Sequence, residues 1–123
     1  MTSEQELARF MRSTFGSVWT LELLLHLRQH GGRAWSRAEL VQALRASDSI
    51  ISNGTSSLLA AGLIVIEDDG AARYRPAAAD LEALVAGAAT LYAQRPDAVR
   101  RVIVDPAAGG VTAFADAFRL RRD

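Results

Sequence analysis

Between Ser36 and Pro76 the chain reads SRAELVQALRASDSIISNGTSSLLAAGLIVIEDDGAARYRP, and this stretch restricts the fold more than any other. Ser36 with Glu39 three residues later forms a capping-box pattern that starts a helix, and Leu40, Val41 and Leu44 give it an apolar stripe. Ala46-Ser47-Asp48 reads as a polar turn in which Ser47 or Asp48 caps a second helix, with a favourable sign for the helix dipole. Along that second helix Ile51, Thr55 and Leu58 recur at helical spacing and are expected to face inward. Asn53, Gly54, Ser56 and Ser57 are then left on the outer side. Gly62 ends the helix. The β-branched run Leu63 to Glu67, the Asp69-Gly70 signal of a two-residue turn and the return Ala72 to Arg75 predict a β-hairpin, with Pro76 closing it. Arg73 and Arg75 share one face of the returning strand, and Tyr74 points the other way.

Helical patterns flank this unit on both sides. Ser3-Glu4-Gln5-Glu6 is a second capping box, so a helix is predicted from Glu4, with Leu7, Phe10, Met11 and Phe15 as its stripe. Ser17 caps a helix from Val18 to His30 that is apolar on most sides, including Trp19, Leu21, Leu23, Leu24 and Leu27. It is expected to be central and mostly buried. Gly31-Gly32 stops it, and Arg33-Ala34-Trp35 is predicted to be extended, joining the hairpin as a short strand. After Pro76 a long helix is predicted over about 78–94. Another runs from Pro96 through Val104, and a last one follows the Gly109-Gly110 break to Arg121. The fold class is therefore mainly α with a small β-hairpin, in a single domain over 1–123. Residues 17–76 form the core unit, and 1–16 and 77–123 are flanking helices.

Composition narrows the function classes. Half of the 123 residues are apolar, which suits a helical globule and not a disordered tail. No run approaches the roughly 20 apolar residues of a membrane span, and the opening residues lack the pattern of a secretory signal, so a cytoplasmic location is expected. Without cysteine there is no disulfide, zinc–thiolate site or thiol nucleophile. All fourteen basic residues are arginine, a residue suited to bidentate phosphate or guanine contacts, but fourteen acidic residues cancel them. The 33–76 stretch is balanced as well, with Arg33, Arg37, Arg45, Arg73 and Arg75 against Glu39, Asp48, Glu67, Asp68 and Asp69. That neutrality counts against tight binding to nucleic acid unless the charges are well placed.

Three groups of residues in the unit carry a family resemblance: Ser36-Arg37-Ala38-Glu39-Leu40, Ile51-Ser52-Asn53, and Leu58 to Ile64, which matches an L-x-x-x-G-L-I exit. Together they resemble the winged helix-turn-helix transcriptional regulators of bacteria, broadly the MarR- and ArsR-like group. The resemblance implies a sequence-specific regulator of double-stranded DNA whose second helix enters a major groove, flanked by the hairpin as a wing. Base-edge contacts would come from Ser49, Ser52, Asn53 and Ser56, with Asn53 able to read adenine bidentately. Backbone contacts would come from Ser36, Arg37, Arg73 and Arg75. Two departures from the pattern stand out: no basic residue lies between Arg45 and Arg73, and Thr55 takes a place where such helices commonly carry leucine.

The flanking helices resemble those that pair subunits in MarR-type proteins. Leu81, Leu84, Val85, Leu91, Phe114 and Phe118 offer more apolar stripe than a small domain covers, which predicts a homodimer. A winged helix that docks on another protein, such as polymerase, a sigma factor or a regulator, is the main alternative, and a metal- or ligand-sensing module is a weaker one. His26 and His30, in register with Glu22, could share a metal, but the surrounding sequence supplies no further ligands, so neither metal nor cofactor is expected. Trp19 and Trp35 are read as core packing in preference to an effector pocket. Arg119, Arg121 and Arg122 read as a solvated end. No nucleophile elbow, phosphate loop or triad context supports catalysis.

Overall fold

A computed structural model describes residues 4–104. Among these, six helices and one two-stranded antiparallel sheet follow in the order α1 (Glu4–Thr14), α2 (Val18–Gln29), α3 (Arg37–Leu44), α4 (Asp48–Ala60), β1 (Ile64–Ile66), β2 (Ala72–Tyr74), α5 (Ala79–Gln94) and α6 (Pro96–Val104). The protein is mainly helical with a small hairpin, as the patterning predicts. The helix expected after Gly109-Gly110 lies outside the described residues.

Helices α2, α3 and α4 each begin where a serine side chain satisfies an open amide, whereas α5 starts after Ala78 with no side-chain cap. Thr20 N–H donates to Ser17 Oγ at the start of α2, and Ile50 N–H donates to Ser47 Oγ at the start of α4. The α3 capping box is complete: Glu39 N–H donates to Ser36 Oγ at 3.2 Å, and Ser36 N–H donates to Glu39 Oε1 at 2.9 Å. At its far end α3 stops on Arg45, which takes a left-handed conformation (φ 55°), and the Ala46 amide closes back on the Val41 carbonyl. Gly62 (φ 77°) does the same for α4, with Leu63 N–H donating to the Leu58 carbonyl.

The core gathers around α2, whose Leu21, Leu23, Leu24 and Leu27 are buried. Against them pack Leu40 of α3, Ile51 and Leu58 of α4, Leu63 and Ile64 at the hairpin, and Val85 and Ala88 of α5. On the other side Leu7, Met11 and Phe15 bring α1 onto α5 and α6, where Val99 and Ile103 are buried. The strong apolar character of α2 thus has its cause: it meets α3, α4, the hairpin and α6. Trp19 corrects one expectation. It stands at the N-terminal end of α2 and is 41% exposed, not core.

In the hairpin Ile64 pairs with Tyr74, Val65 with Arg73 and Ile66 with Ala72. Trp35 adds one bridge to Ala72, exchanging two backbone hydrogen bonds of 2.7 and 2.8 Å, so the predicted extension of residues 33–35 joins the sheet through a single residue. The turn is longer than the Asp69-Gly70 signal indicates. Gly70 N–H donates to the Glu67 carbonyl and Glu67 N–H to the Ala71 carbonyl, making a three-residue loop, Asp68 to Gly70, with Gly70 left-handed (φ 87°). Asp69 Oδ1 accepts from the Ala71 amide at 3.0 Å, which holds the loop.

Two polar clamps tie the helices to one another. Arg28 of α2 and the Tyr74 hydroxyl of β2 both donate to Glu82 of α5, at 3.1 and 2.6 Å. Arg28 and Tyr74 hold the Glu82 carboxyl below the usual range, while burial and the neighbouring Glu82 push the Tyr74 phenol upward. Tyr92 of α5 donates to Glu22 of α2 at 2.7 Å. No helix among the described residues is long and apolar enough to cross a membrane.

Candidate nucleic-acid interface

The outward face of α4 follows from what its inward face must bury. Ile51, Gly54 and Leu58 are the buried positions, and at 3.6 residues per turn the direction opposite them falls on Ser49, Ser52, Asn53, Ser56 and Ala60. Ser49, Asn53 and Ser56 are exposed and Ser52 is half-buried. None of the four side chains is engaged by a hydrogen bond within the described residues, so their donors and acceptors are available to a partner. All four base-contact candidates therefore share one face.

Gly54 and Thr55 exchange roles relative to the sequence expectation. Gly54 faces α2, where a Cβ would stand 2.8 Å from Leu23 Cδ2, and its missing side chain lets the two helices approach closely. Thr55 turns to the flank, half-buried, with its hydroxyl donating to the Ile51 and Ser52 carbonyls. It thereby satisfies itself on its own helix and leaves the outer row to the serines and Asn53.

Charge around this face is sparse. Asp48 is the one ionised side chain on α4 and sits in its first turn, where it offsets the positive end of the helix. Cations come from neighbouring elements. Arg37 opens α3, Arg45 sits in the turn just before α4, and Arg75 follows β2. All three are exposed and have no carboxylate within ion-pair distance among the described residues. Arg73 differs, because its Nε is held 2.8 Å from Glu67 Oε2 across the hairpin. Ser36 is half-buried and its hydroxyl serves the α3 cap. Of the four backbone-contact candidates, Arg37 and Arg75 thus offer unpaired charge, and Arg73 and Ser36 are partly engaged.

Leu59 (47% exposed) on α4 and Ile66 (42% exposed) at the end of β1 were not singled out by the sequence. Each belongs to an apolar run that also holds fully buried members, Leu58 for Leu59 and Leu63 and Ile64 for Ile66, so residue type alone does not separate the exposed from the buried positions.

The two histidines next to the hairpin take part in a ring cluster. The His26 ring lies 4.7 Å from His30 and 4.6 Å from Trp35, with the Arg33 guanidinium 3.7 Å above the Trp35 ring. Trp35 Nε1 donates to the His30 carbonyl. Burial, then His30 and Arg33, lowers the His26 pKa, and its Nε2 is buried without a partner. No group of three or more metal-ligating side chains forms among the described residues.

The apolar stripe of α5 is covered in part by the chain itself. Val85 is completely buried, so it belongs to the core and offers no surface to a second copy. Leu81, Leu84 and Leu91 are half-buried against the same core. Phe114 and Phe118 lie outside the described residues. In comparisons with known proteins, no family model, curated protein or solved structure matches the chain.

Proposed function

We propose that the chain is a winged helix-turn-helix regulator that binds double-stranded DNA through α4. The observation that carries this reading is the outward row of Ser49, Ser52, Asn53 and Ser56, free of internal hydrogen bonds on a capped helix braced by α2 and α3. Short polar side chains on such a helix meet base edges in a major groove without long flexible stems, and Asn53 is the one able to make a bidentate contact. Arg37, Arg45 and Arg75 would hold phosphates on either side. Pairing of two copies through the remaining exposed parts of Leu81, Leu84 and Leu91 would set two such helices about one DNA turn apart.

Salt dependence tests this directly. With three unpaired arginines per protomer, the logarithm of affinity should fall against the logarithm of salt with a slope of roughly −3 per protomer. Arg75→Ala should reduce that slope by about one unit and weaken all sequences alike. Arg73→Ala should change it less, because Glu67 already neutralises that side chain. Equal effects of the two substitutions, or a slope near zero, would count against phosphate contact by the hairpin.

A second reading draws on Leu59 and Ile66. A face with no cation and with exposed leucine and isoleucine beside it suits docking on another protein. In that case Leu59→Ala abolishes partner capture while DNA affinity stays unmeasurable in the wild type and the variant alike.

A further inference from the structure

Residues 33–35 reach the hairpin through a single bridge, in which the Trp35 amide and carbonyl exchange bonds of 2.7 and 2.8 Å with Ala72. The Trp35 indole in turn rests on the end of α2. Its ring lies 4.6 Å from His26 and 5.6 Å from His30, the two imidazoles are 4.7 Å apart, and Trp35 Nε1 donates to the His30 carbonyl at 3.3 Å. The Arg33 guanidinium sits 3.7 Å from the same indole. Both imidazoles and a cation thus converge on the side chain that carries the bridge.

What a proton does there follows from His26. Its Nε2 is buried and meets no hydrogen-bond partner among the described residues. A neutral imidazole can leave one nitrogen bare, but the imidazolium carries N–H groups on both, so the buried one would stand without an acceptor. No carboxylate lies within ion-pair distance of His26 among the described residues. On α2 itself Glu22 accepts from Tyr92, and Arg28 is held by Glu82 of α5, which also accepts from Tyr74 of β2. Arg33 pairs with Glu39 of α3, and Arg73 of β2 pairs with Glu67. Arg100 of α6 donates to Tyr92, and α4 brings only Asp48, in its first turn. Burial, then His30 and Arg33, therefore disfavour the His26 cation with nothing to offset them. We propose that this cluster is an acid-sensitive latch on the hairpin: a proton on His26 turns the ring out to water, Trp35 loses its support, and the Trp35–Ala72 bridge opens while α4 and the β1–β2 pairing stay in place. The closed form binds the proton less well than the open one, so the latch is shut above the ordinary histidine pKa of 6.5 and opens progressively below it. The latch acts on the hairpin alone and holds whether or not α4 meets DNA.

Amide hydrogen exchange of the full chain at about pH 7.5 and 5, read as protection factors, tests the latch. In the wild type the Trp35 and Ala72 amides should lose roughly tenfold in protection at the lower pH. The Leu63 and Glu67 amides, bonded to the Leu58 and Ala71 carbonyls, should keep theirs. His26→Phe keeps a ring but cannot titrate, so the bridge should stay closed at both pH values. His26→Gln, a second side chain that cannot titrate, should likewise remove the pH dependence, even where the bridge is weaker throughout. Equal protection of Trp35 and Ala72 at the two pH values in the wild type, the same acid loss in both variants, or a loss shared evenly by Leu63 and Glu67 would each overturn the inference.

Discussion

At the scale of single residues, Gly54 shows how a local pattern can leave two neighbours undecided. Positions 54 and 55 are three and four steps from Ile51, and both fit a helical stripe ending at Leu58. The close approach of Leu23 from α2 settles the choice, and no spacing within α4 encodes it. Gly54→Val should therefore destabilise the fold by about 2 kcal/mol or more, since the added carbons collide with a fully packed leucine. Chemical denaturation would show it, and unchanged stability would mean that α2 and α4 are not so close. His26 makes a second residue-level prediction. Its folded pKa is lowered, chiefly by burial, so the unfolded chain takes up a proton first as the pH drops. The neutral ring contributes stability above its ordinary pKa of 6.5, and that contribution is lost as pH falls through the lowered value. His26→Phe should lose less stability than wild type between about pH 7.5 and 5.

At the scale of elements, the sequence revealed starts and stops better than faces. Ser17, Ser36 with Glu39, and Ser47 cap the helices that their positions predict, and Gly62 takes the positive φ that ends α4. These signals are short-range chemistry between a side chain and nearby amides, which is why they can be read locally. Loop length and exposure are not local in this sense. The Asp69-Gly70 pair marked the turn, but the backbone bonds of Glu67 made the loop one residue longer, and Trp19 lies outside the core although its helix supplies Leu21, Leu23, Leu24 and Leu27 to it. The cap of α4 matters twice over, because it fixes the helix that carries the candidate interface. Ser47→Ala should cost about 1 kcal/mol of stability. It should also weaken DNA binding by fraying the turn that contains Ser49, measurable as lost protection of the first α4 amides in hydrogen exchange.

At the scale of the whole molecule, long-range polar contacts complete an arrangement that hydrophobic patterning only outlines. Glu82 joins α2 to the hairpin through Arg28 and Tyr74, and Glu22 joins α2 to α5 through Tyr92. Neither clamp is visible in sequence, because partners such as Glu22 and Tyr92 are far apart along the chain. They hold α5 against the unit that carries α4. The same packing buries Val85 and so reduces the stripe available to a second copy. If Leu81, Leu84 and Leu91 still pair two copies, sedimentation at micromolar concentration should show a dimer that Leu84→Glu dissociates. A monomer at that concentration would leave each α4 to bind alone. Whether α4 meets DNA at all is decided most directly by selecting duplexes from a random library with wild type and with Asn53→Ala. The account predicts a defined motif for wild type and, in the variant, loss of preference at one base position worth about 1–3 kcal/mol. No enriched motif, or the same motif from both proteins, would contradict it.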